Sequence, residues 1–305
     1  MTALTTKEPD FVSRVINGLL SVKPLAAFAK SRARAMMIQR AQRIGVNWPQ
    51  RVEQLQGLDW QERFSQVQNP DVTYPAYYQV SFHAYEKGDL SWDAAWEAEC
   101  AALTVHSTLW GGEDPEGDRK LRDSYHNALS TQLSTPPQNI LDLGCSTGMS
   151  TFALQDRYPQ ATVTGLDLSP YFLAVAQYNN EQQQRTVNWK HAPAESTGFS
   201  PQSFDLVSSC LMFHELPQAP ARAILAEAQR LLRPGGYLAL MDMNPRSSVY
   251  ATMPPYILTL LKSTEPYLDQ YFTLDLEQAL IEVGFEPPTI IPCTPRHRAV
   301  IAKRK

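Results

Sequence analysis

The sequence predicts an α/β protein, with a mostly parallel sheet covered by helices on both faces and preceded by a helical cap. Two observations predict it. From Asn139 onward, short apolar strands alternate with amphipathic helices across brief connections, the pattern of strands joined by helical crossovers. Before about Thr135 the apolar spacing is helical, with no convincing run of alternating strand residues.

In chain order, Phe11 to Gly45 carries apolar residues at helical spacing, and Pro24 reads as a break between two helices. Trp92 to Trp110 is a second periodic stretch, opened by Ser91 as an N-cap. Arg119 to Leu133 reads as one more helix after the turn-rich GGEDPEGD. Strands are then expected at Asn139–Leu143, Thr162–Leu166, Val187–Lys190, Phe204–Ser209 and Tyr237–Met241. The helices between them fall at about Ser150–Tyr158, Pro170–Gln183 and Gln218–Leu232. An insertion rich in Pro and Tyr runs from Asn244 to Thr273, followed by a helix at Leu274–Val283. Two apolar segments, Thr289–Pro292 and Ala299–Ala302, suit a terminal hairpin. The division expected is a cap over residues 1–135 and a ligand-binding domain over 136–305, interrupted at 244–273.

Composition narrows the function. A chain of 305 residues has room for one large α/β domain and an appendage. The net charge of -4 argues against a primary nucleic-acid binder, and no apolar run is long enough to span a bilayer. The start lacks a secretory pattern, so a cytoplasmic location is expected. The four cysteines lie far apart without paired ligand spacing, which suits free thiols, and no metal site is expected.

The segment NILDLGCSTGMS carries the most chemistry. A strand ends at Leu143, a turn bearing Gly144 and Gly148 follows, and a helix begins near Met149. The glycines let backbone approach a ligand, and the helix start offers free amides with a partial positive charge. That combination suits a carboxylate as well as a phosphate. Asp167, ending the second strand, is placed to accept from ribose hydroxyls; the bland alternative is a turn aspartate capping the next helix. A nicotinamide-dependent oxidoreductase competes, but its G-x-G-x-x-G fingerprint lacks its middle glycine here.

Asp142-Leu-Gly-Cys-Ser-Thr-Gly148 followed by Gly165-Leu-Asp-Leu-Ser169 resembles the signature of class I S-adenosylmethionine-dependent methyltransferases. Ala194-Glu195, Ser203-Phe-Asp-Leu-Val207 and Leu232-Arg-Pro-Gly-Gly236 extend the resemblance in the right order, nearest in flavour to the ubiquinone and menaquinone branch. It implies a Rossmann-like seven-stranded, mostly parallel sheet and S-adenosylmethionine as cofactor. It further implies that the turn Gly144, Cys145, Ser146 to Gly148 faces the methionine moiety, with Asp142 holding its amino group. Asp167 would bind the ribose diol, Leu168 would lie beside adenine, and Ala194 and Glu195 would approach the adenine edge. Ser209, Cys210 and Leu211 would line the methionine side. Two departures stand out: Ser146 where the family often has glycine, and Pro193 where it often has aspartate, which leaves the adenine amino group to Glu195 or to backbone.

The acceptor should lie past the carboxyl ends of the strands. His214 and Glu215, just after the fourth strand, are the catalytic candidates; the alternative for His214 is a cap on the helix near Gln218. Asp242 and Asn244 end the fifth strand beside them. His83, Tyr85 and Trp92 from the cap, with Tyr250 and Tyr267 from the insertion, are candidate walls for a small aromatic or lipophilic acceptor; the alternative for such rings is core packing. From Val12 to Gly45 there are seven basic and no acidic residues. Such a pair of helices either lies peripherally on an anionic membrane or presents a solvated face while docked on the cap. A catalytically silent cofactor-binding partner protein is the alternative to an enzyme.

Overall fold

The computed structural model describes residues 23–83 and 85–305. Residues 12–22 of the predicted cationic pair lie outside the described residues. Seven strands form one sheet: β1 (Asn139–Leu143), β2 (Thr162–Asp167), β3 (Asn188–His191), β4 (Phe204–Cys210), β5 (Leu232–Met243), β6 (Thr289–Pro292) and β7 (His297–Lys303), in the order β3-β2-β1-β4-β5-β7-β6. Strands β1 to β5 run parallel, and β7 inserts antiparallel between β5 and β6. The expected terminal hairpin is thus present and is what makes the sheet mixed.

Five described helices precede the sheet: α1 (Lys23–Arg43), α2 (Trp48–Gln56), α3 (Gln61–Val67), α4 (Trp92–His106) and α5 (Gly117–Ser130). The crossovers are α6 (Met149–Arg157), α7 (Pro170–Gln182) and α8 (Gln218–Leu231). After β5 come α9 (Ser248–Ala251), α10 (Pro255–Thr264), α11 (Leu268–Thr273) and α12 (Leu276–Glu282).

Alternation along the strands divides the core in two, because successive side chains point to opposite faces. Leu141, Leu143, Val207, Leu238 and Leu240 pack against Ile224, Leu225 and Ala228 of α8 and Leu280 of α12. Ile140, Val163, Leu206, Ala239 and Ile301 pack against Leu121, Tyr125 and Leu129 of α5 and Leu154 of α6. Helix α5, expected within the cap, therefore covers the sheet itself. Tyr125 donates to the Ala239 carbonyl at 3.0 Å and meets Ser208 Oγ at 2.8 Å, so its hydroxyl bridges two central strands.

Of the remaining cap helices, α3 and α4 pack on α7, while α1 and α2 pack on α4. Leu55, Trp60, Ala94 and Ala95 bury themselves against Phe172, Ala174 and Val175. Ser91 Oγ accepts from the Ala94 amide, as expected of the N-cap, while α4 stops at His106 rather than Trp110. Pro24 sits in the opening turn of α1, where its missing N–H is harmless. Arg34 pairs with Glu97, and Arg40 and Arg43 pair with Glu113 at 3.4 Å and 2.6 Å, so these cations dock α1 on the cap. No described helix is long and apolar enough to cross a membrane.

Three further departures from the sequence reading have local causes. Strand β5 starts at Leu232, not Tyr237, because Pro234-Gly235-Gly236 joins it through a register shift opposite Phe204 and Leu206. Helices α2 and α3 were not anticipated; both are short, and α3 buries no residue fully. The insertion at 244–273, read from the sequence only as rich in Pro and Tyr, holds the three helices α9, α10 and α11.

Candidate active site

The parallel strands end together at the turn Gly144–Gly148, at Asp167 and at the segment after β4. Ser146 and Gly148 hold left-handed backbone, with φ of 48° and 92°, and the Gly144 and Cys145 amides both donate to the Leu166 carbonyl, which ties the turn to β2. Asp167 accepts the Ser146 amide at 2.7 Å and the Ser169 amide at 2.8 Å, joining the first turn to the start of α7. Ser169, not Asp167, caps that helix through its side chain. Burial pushes the Asp167 carboxyl up to about 7, against the pull of those two amides.

Asp142 is fully buried. Its Oδ2 accepts from Ser150 Oγ at 2.6 Å and Thr151 Oγ1 at 2.7 Å, whereas Oδ1 has no hydrogen-bond partner. Burial raises this carboxyl to about 6, with both hydroxyls opposing. A buried carboxylate oxygen without a partner, beside the turn, fits the ammonium end of an amino-acid ligand. Gly144, at φ 67°, runs against Met212: a methyl there would lie 2.5 Å from Sδ.

Trp189 on β3 explains the second glycine motif. A methyl group on Gly165 would lie 2.5 Å from the Trp189 ring and 2.9 Å from Cys145 Sγ. On Gly148 it would lie 2.9 Å from both Trp189 and Phe152. Gly165→Ala is expected to destabilise the fold by about 1–3 kcal/mol, the range for overpacking a tight core. A thermal melt showing no loss of Tm would contradict this packing.

The adenine-side candidates are near one another. Leu168 is buried and its carbonyl meets His191 Nε2 at 3.0 Å. Ala194 is buried, and Glu195 Oε1 accepts from Tyr77 at 2.9 Å while Oε2 is buried without a partner. Of the β4 end, Ser209 donates to the Leu143 carbonyl at 3.0 Å, Cys210 faces Arg122 and Leu211 takes φ 62°. Cys145 is buried and its thiol pKa is raised well above the ordinary value by burial, so it is inert filling beneath the turn.

His214 is buried, with Nδ1 2.8 Å from Asp242 Oδ1 and its backbone N–H donating to Asp242 Oδ2. Burial lowers its pKa, but Asp242 first and Glu215 next outweigh that and raise it to about 9. The imidazole is therefore a cation near neutrality, a donor rather than a free base. The helix-cap reading fails, because α8 is capped at Pro217 without any side chain. Glu215 approaches His214 Nε2 at 3.9 Å and His83 Nε2 at 3.3 Å. Glu265, closing α10, reaches His83 Nε2 at 3.1 Å.

Not every wall candidate belongs here. Trp92 packs among Trp60, Phe64, Trp96 and Tyr171, and Tyr85 donates to Glu97 at 2.7 Å, so both serve the cap's own core. Tyr250 is buried against Phe272. Asn244 accepts the Arg246 amide and shapes the turn after β5. Tyr267 does face the site region, donating to the Tyr77 carbonyl at 3.2 Å with its ring beside Phe82. Sequence reasoning missed Tyr77, Tyr78 and Asp89. Tyr78 lies close enough to Asp167, Asp89 and Glu215 that burial, then these charges, raise its phenol pKa well above the ordinary value. The aromatic run Tyr74-Pro-Ala-Tyr-Tyr78 was the available signal.

Comparison with known proteins points to the same family as the sequence motifs. Residues 140–236 match the family profile of a methyltransferase domain. An uncharacterized methyltransferase of Synechocystis sp. is 35% identical over 165 residues, 53% of this chain and 74% of that protein. A ubiquinone biosynthesis O-methyltransferase of Pseudomonas aeruginosa is 32% identical over 173 residues, 55% of this chain and 73% of its own. Across such relatives the chain spans between 48% and 81% of their lengths. The solved phosphoethanolamine N-methyltransferase 2 of Haemonchus contortus, in complex with S-adenosyl-L-methionine, shares the fold. Its TM-score is 0.52 at 16% identity, covering 72% of this chain and 61% of that one. These relatives decide against the nicotinamide alternative. The chain belongs to the class I S-adenosylmethionine-dependent methyltransferases, and S-adenosylmethionine is its methyl donor.

Proposed function

We propose that this enzyme methylates an oxygen of a small, flat, lipophilic acceptor of the hydroquinone kind. The observation that carries the proposal is the pairing of the buried His214–Asp242 dyad with Glu215 immediately past β4, under the rings of Tyr77, Tyr78, Phe82 and Tyr267. The name of the Pseudomonas relative supports an O-methylated precursor of ubiquinone as the acceptor class.

When bound, S-adenosylmethionine supplies an electrophilic methyl group on a sulfonium. Asp142 Oδ1 would hold the amino group of the cofactor, and Asp167 its ribose. The protein must then bind the acceptor, exclude water and manage one proton. His214, fixed by Asp242, places a positive charge at the mouth of the site and favours the ionised form of an acceptor hydroxyl. Glu215 is the carboxylate in reach to take that proton, and burial raises its pKa above the ordinary carboxylate value. The aromatic residues of the cap loop and the insertion give the acceptor ring its apolar walls. Residues 23–106 would act as the lid over residues 136–305.

Production of S-adenosylhomocysteine tests the reading against three acceptor classes. A catechol or hydroquinone with a short prenyl tail is expected to give turnover; ethanolamine phosphates and fatty acids are not. Turnover with an amine alone would sink the O-methylation proposal. His214→Asn is expected to lower kcat by about 10²-fold or more, in the range of an electrostatic stabiliser.

A further inference from the structure

We propose that His83, Glu215 and Glu265 form a divalent-cation site at the mouth of the acceptor pocket. The proposal deepens the O-methylation reading and rests on it for the cation's purpose, though not for its binding.

Three distant stretches of chain bring the ligands together. His83 lies in the cap loop, Glu215 in the single turn Phe213–Glu215 after β4, and Glu265 at the end of α10. The His83 amide donates to the Thr264 carbonyl at 3.2 Å, which ties the cap loop to the residue preceding Glu265. Helix α11 packs on the turn bearing Glu215. One ligand atom from each residue lies within 4.8 Å of the other two.

The spacing is that of a coordination shell. Bonds from a first-row cation to imidazole nitrogen and carboxylate oxygen are about 2.0–2.2 Å long, so neighbouring ligand atoms on a tetrahedral or octahedral centre stand about 2.8–3.6 Å apart. His83 Nε2 stands 3.1 Å from Glu265 Oε1 and 3.3 Å from Glu215 Oε1. An ion pair alone would account for these two distances, but not for the next observation. Glu265 is 7% exposed, and the carboxylate that meets His83 through Oε1 keeps Oε2 buried without any hydrogen-bond partner. A buried carboxylate oxygen normally collects donors, and a cation satisfies it where no N–H or O–H does. Asp89 Oδ1 faces the far nitrogen of His83 at 3.8 Å, the side on which ligating imidazoles find an orienting carboxylate.

One imidazole and two carboxylates suit Mn²⁺, Fe²⁺ or Zn²⁺ better than Mg²⁺, which prefers an all-oxygen shell with several waters. Three protein ligands leave positions open for the acceptor. A cation there would bind a hydroxyl oxygen of the acceptor and lower its pKa, and the hydroxyl proton would pass to the Glu215 carboxylate oxygen that does not face the ion. The site departs from the sequence expectation of no metal, which rested on cysteine spacing and could not see residues joined only by folding.

The experiment is titration of the chelator-treated full chain with Mn²⁺, following loss of the free-ion electron paramagnetic resonance signal, with Zn²⁺ as competitor. One equivalent is expected to bind, weakened by about tenfold or more in Glu265→Gln and in His83→Gln, in line with loss of a ligand. Labelled S-adenosylmethionine is expected to bind all three proteins alike, which confirms that the variants fold. No binding of either ion to a wild-type chain that binds the cofactor would overturn the proposal. Equal binding by both variants would overturn it too, because the ion would then sit elsewhere. One-equivalent binding lost in the variants, without methylation of any hydroxylated acceptor, would sustain the cation site and sink the acceptor reading.

Discussion

Asp167→Ala is expected to lose about 10²-fold or more in affinity for S-adenosylmethionine, the scale of about 3 kcal/mol. The aspartate has two duties that fail together. Its two oxygens receive the Ser146 and Ser169 amides, so they hold the left-handed turn against the start of α7. The same oxygens retain free lone pairs for a ribose diol. Asp167→Asn keeps one carbonyl acceptor and is expected to lose less. Equilibrium dialysis against labelled cofactor measures both variants, with circular dichroism to verify the fold. Unchanged affinity in the alanine variant would mean that the ribose lies elsewhere.

Acid is expected to weaken cofactor binding in two stages. Both carboxylates must be ionised to meet an ammonium group and a diol, and burial raises Asp167 to about 7 and Asp142 to about 6. Affinity should therefore be level above about pH 8 and fall by up to about tenfold per unit below 7. Below 6 the slope should steepen toward about a hundredfold per unit as the second proton binds. Asp142→Asn removes one titration, so its affinity should be lower at pH 8 and its acid slope shallower. Stability of the free protein moves the other way. Asp142 has a folded pKa above its unfolded value of about 3.9, so the folded state binds the proton more tightly. Acidification from about 6 to 4 relieves a buried charge and gains up to about 3 kcal/mol from this group. A binding profile that is flat from pH 8 to 5 would contradict the placement of the ammonium group on Asp142.

The cofactor half of the molecule was legible because its chemistry is local in sequence. A strand, a glycine-bearing turn and a helix start within Asn139–Met149 are read without knowing the fold, and Asp167 ends the very next strand. The sheet followed from strand and helix alternation, and the hairpin that reverses its edge was visible as two short apolar runs. Trp189 was not legible as the reason for Gly148 and Gly165, because only the pairing of β2 with β3 sets it over both.

The acceptor side was read only in part. His214, Glu215 and Asp242 are candidates from their positions at strand ends, and the structure brings them together, but the charge of His214 depends on a contact between residues after β4 and at the end of β5. Trp92 and Tyr85 looked like walls and proved to be packing, since aromatic residues in a cap serve its core as readily as a ligand. Tyr78 and Asp89 went unnoticed because nothing in their own segment places them beside Asp167 and Glu215. Short helices such as α2 and α3 left little periodic signal, and tertiary contact is what holds them, α2 on α4 and α3 on α7.

A crystal structure of the complex with S-adenosylhomocysteine tests the central claim most directly. The account predicts its ribose hydroxyls on Asp167 and its amino group beside Asp142 Oδ1, across the turn from Gly144 to Gly148. Occupation instead of the cavity of about 480 Å³ among α5, α6 and α7, lined by Arg122, Met149 and Asn179, would contradict it.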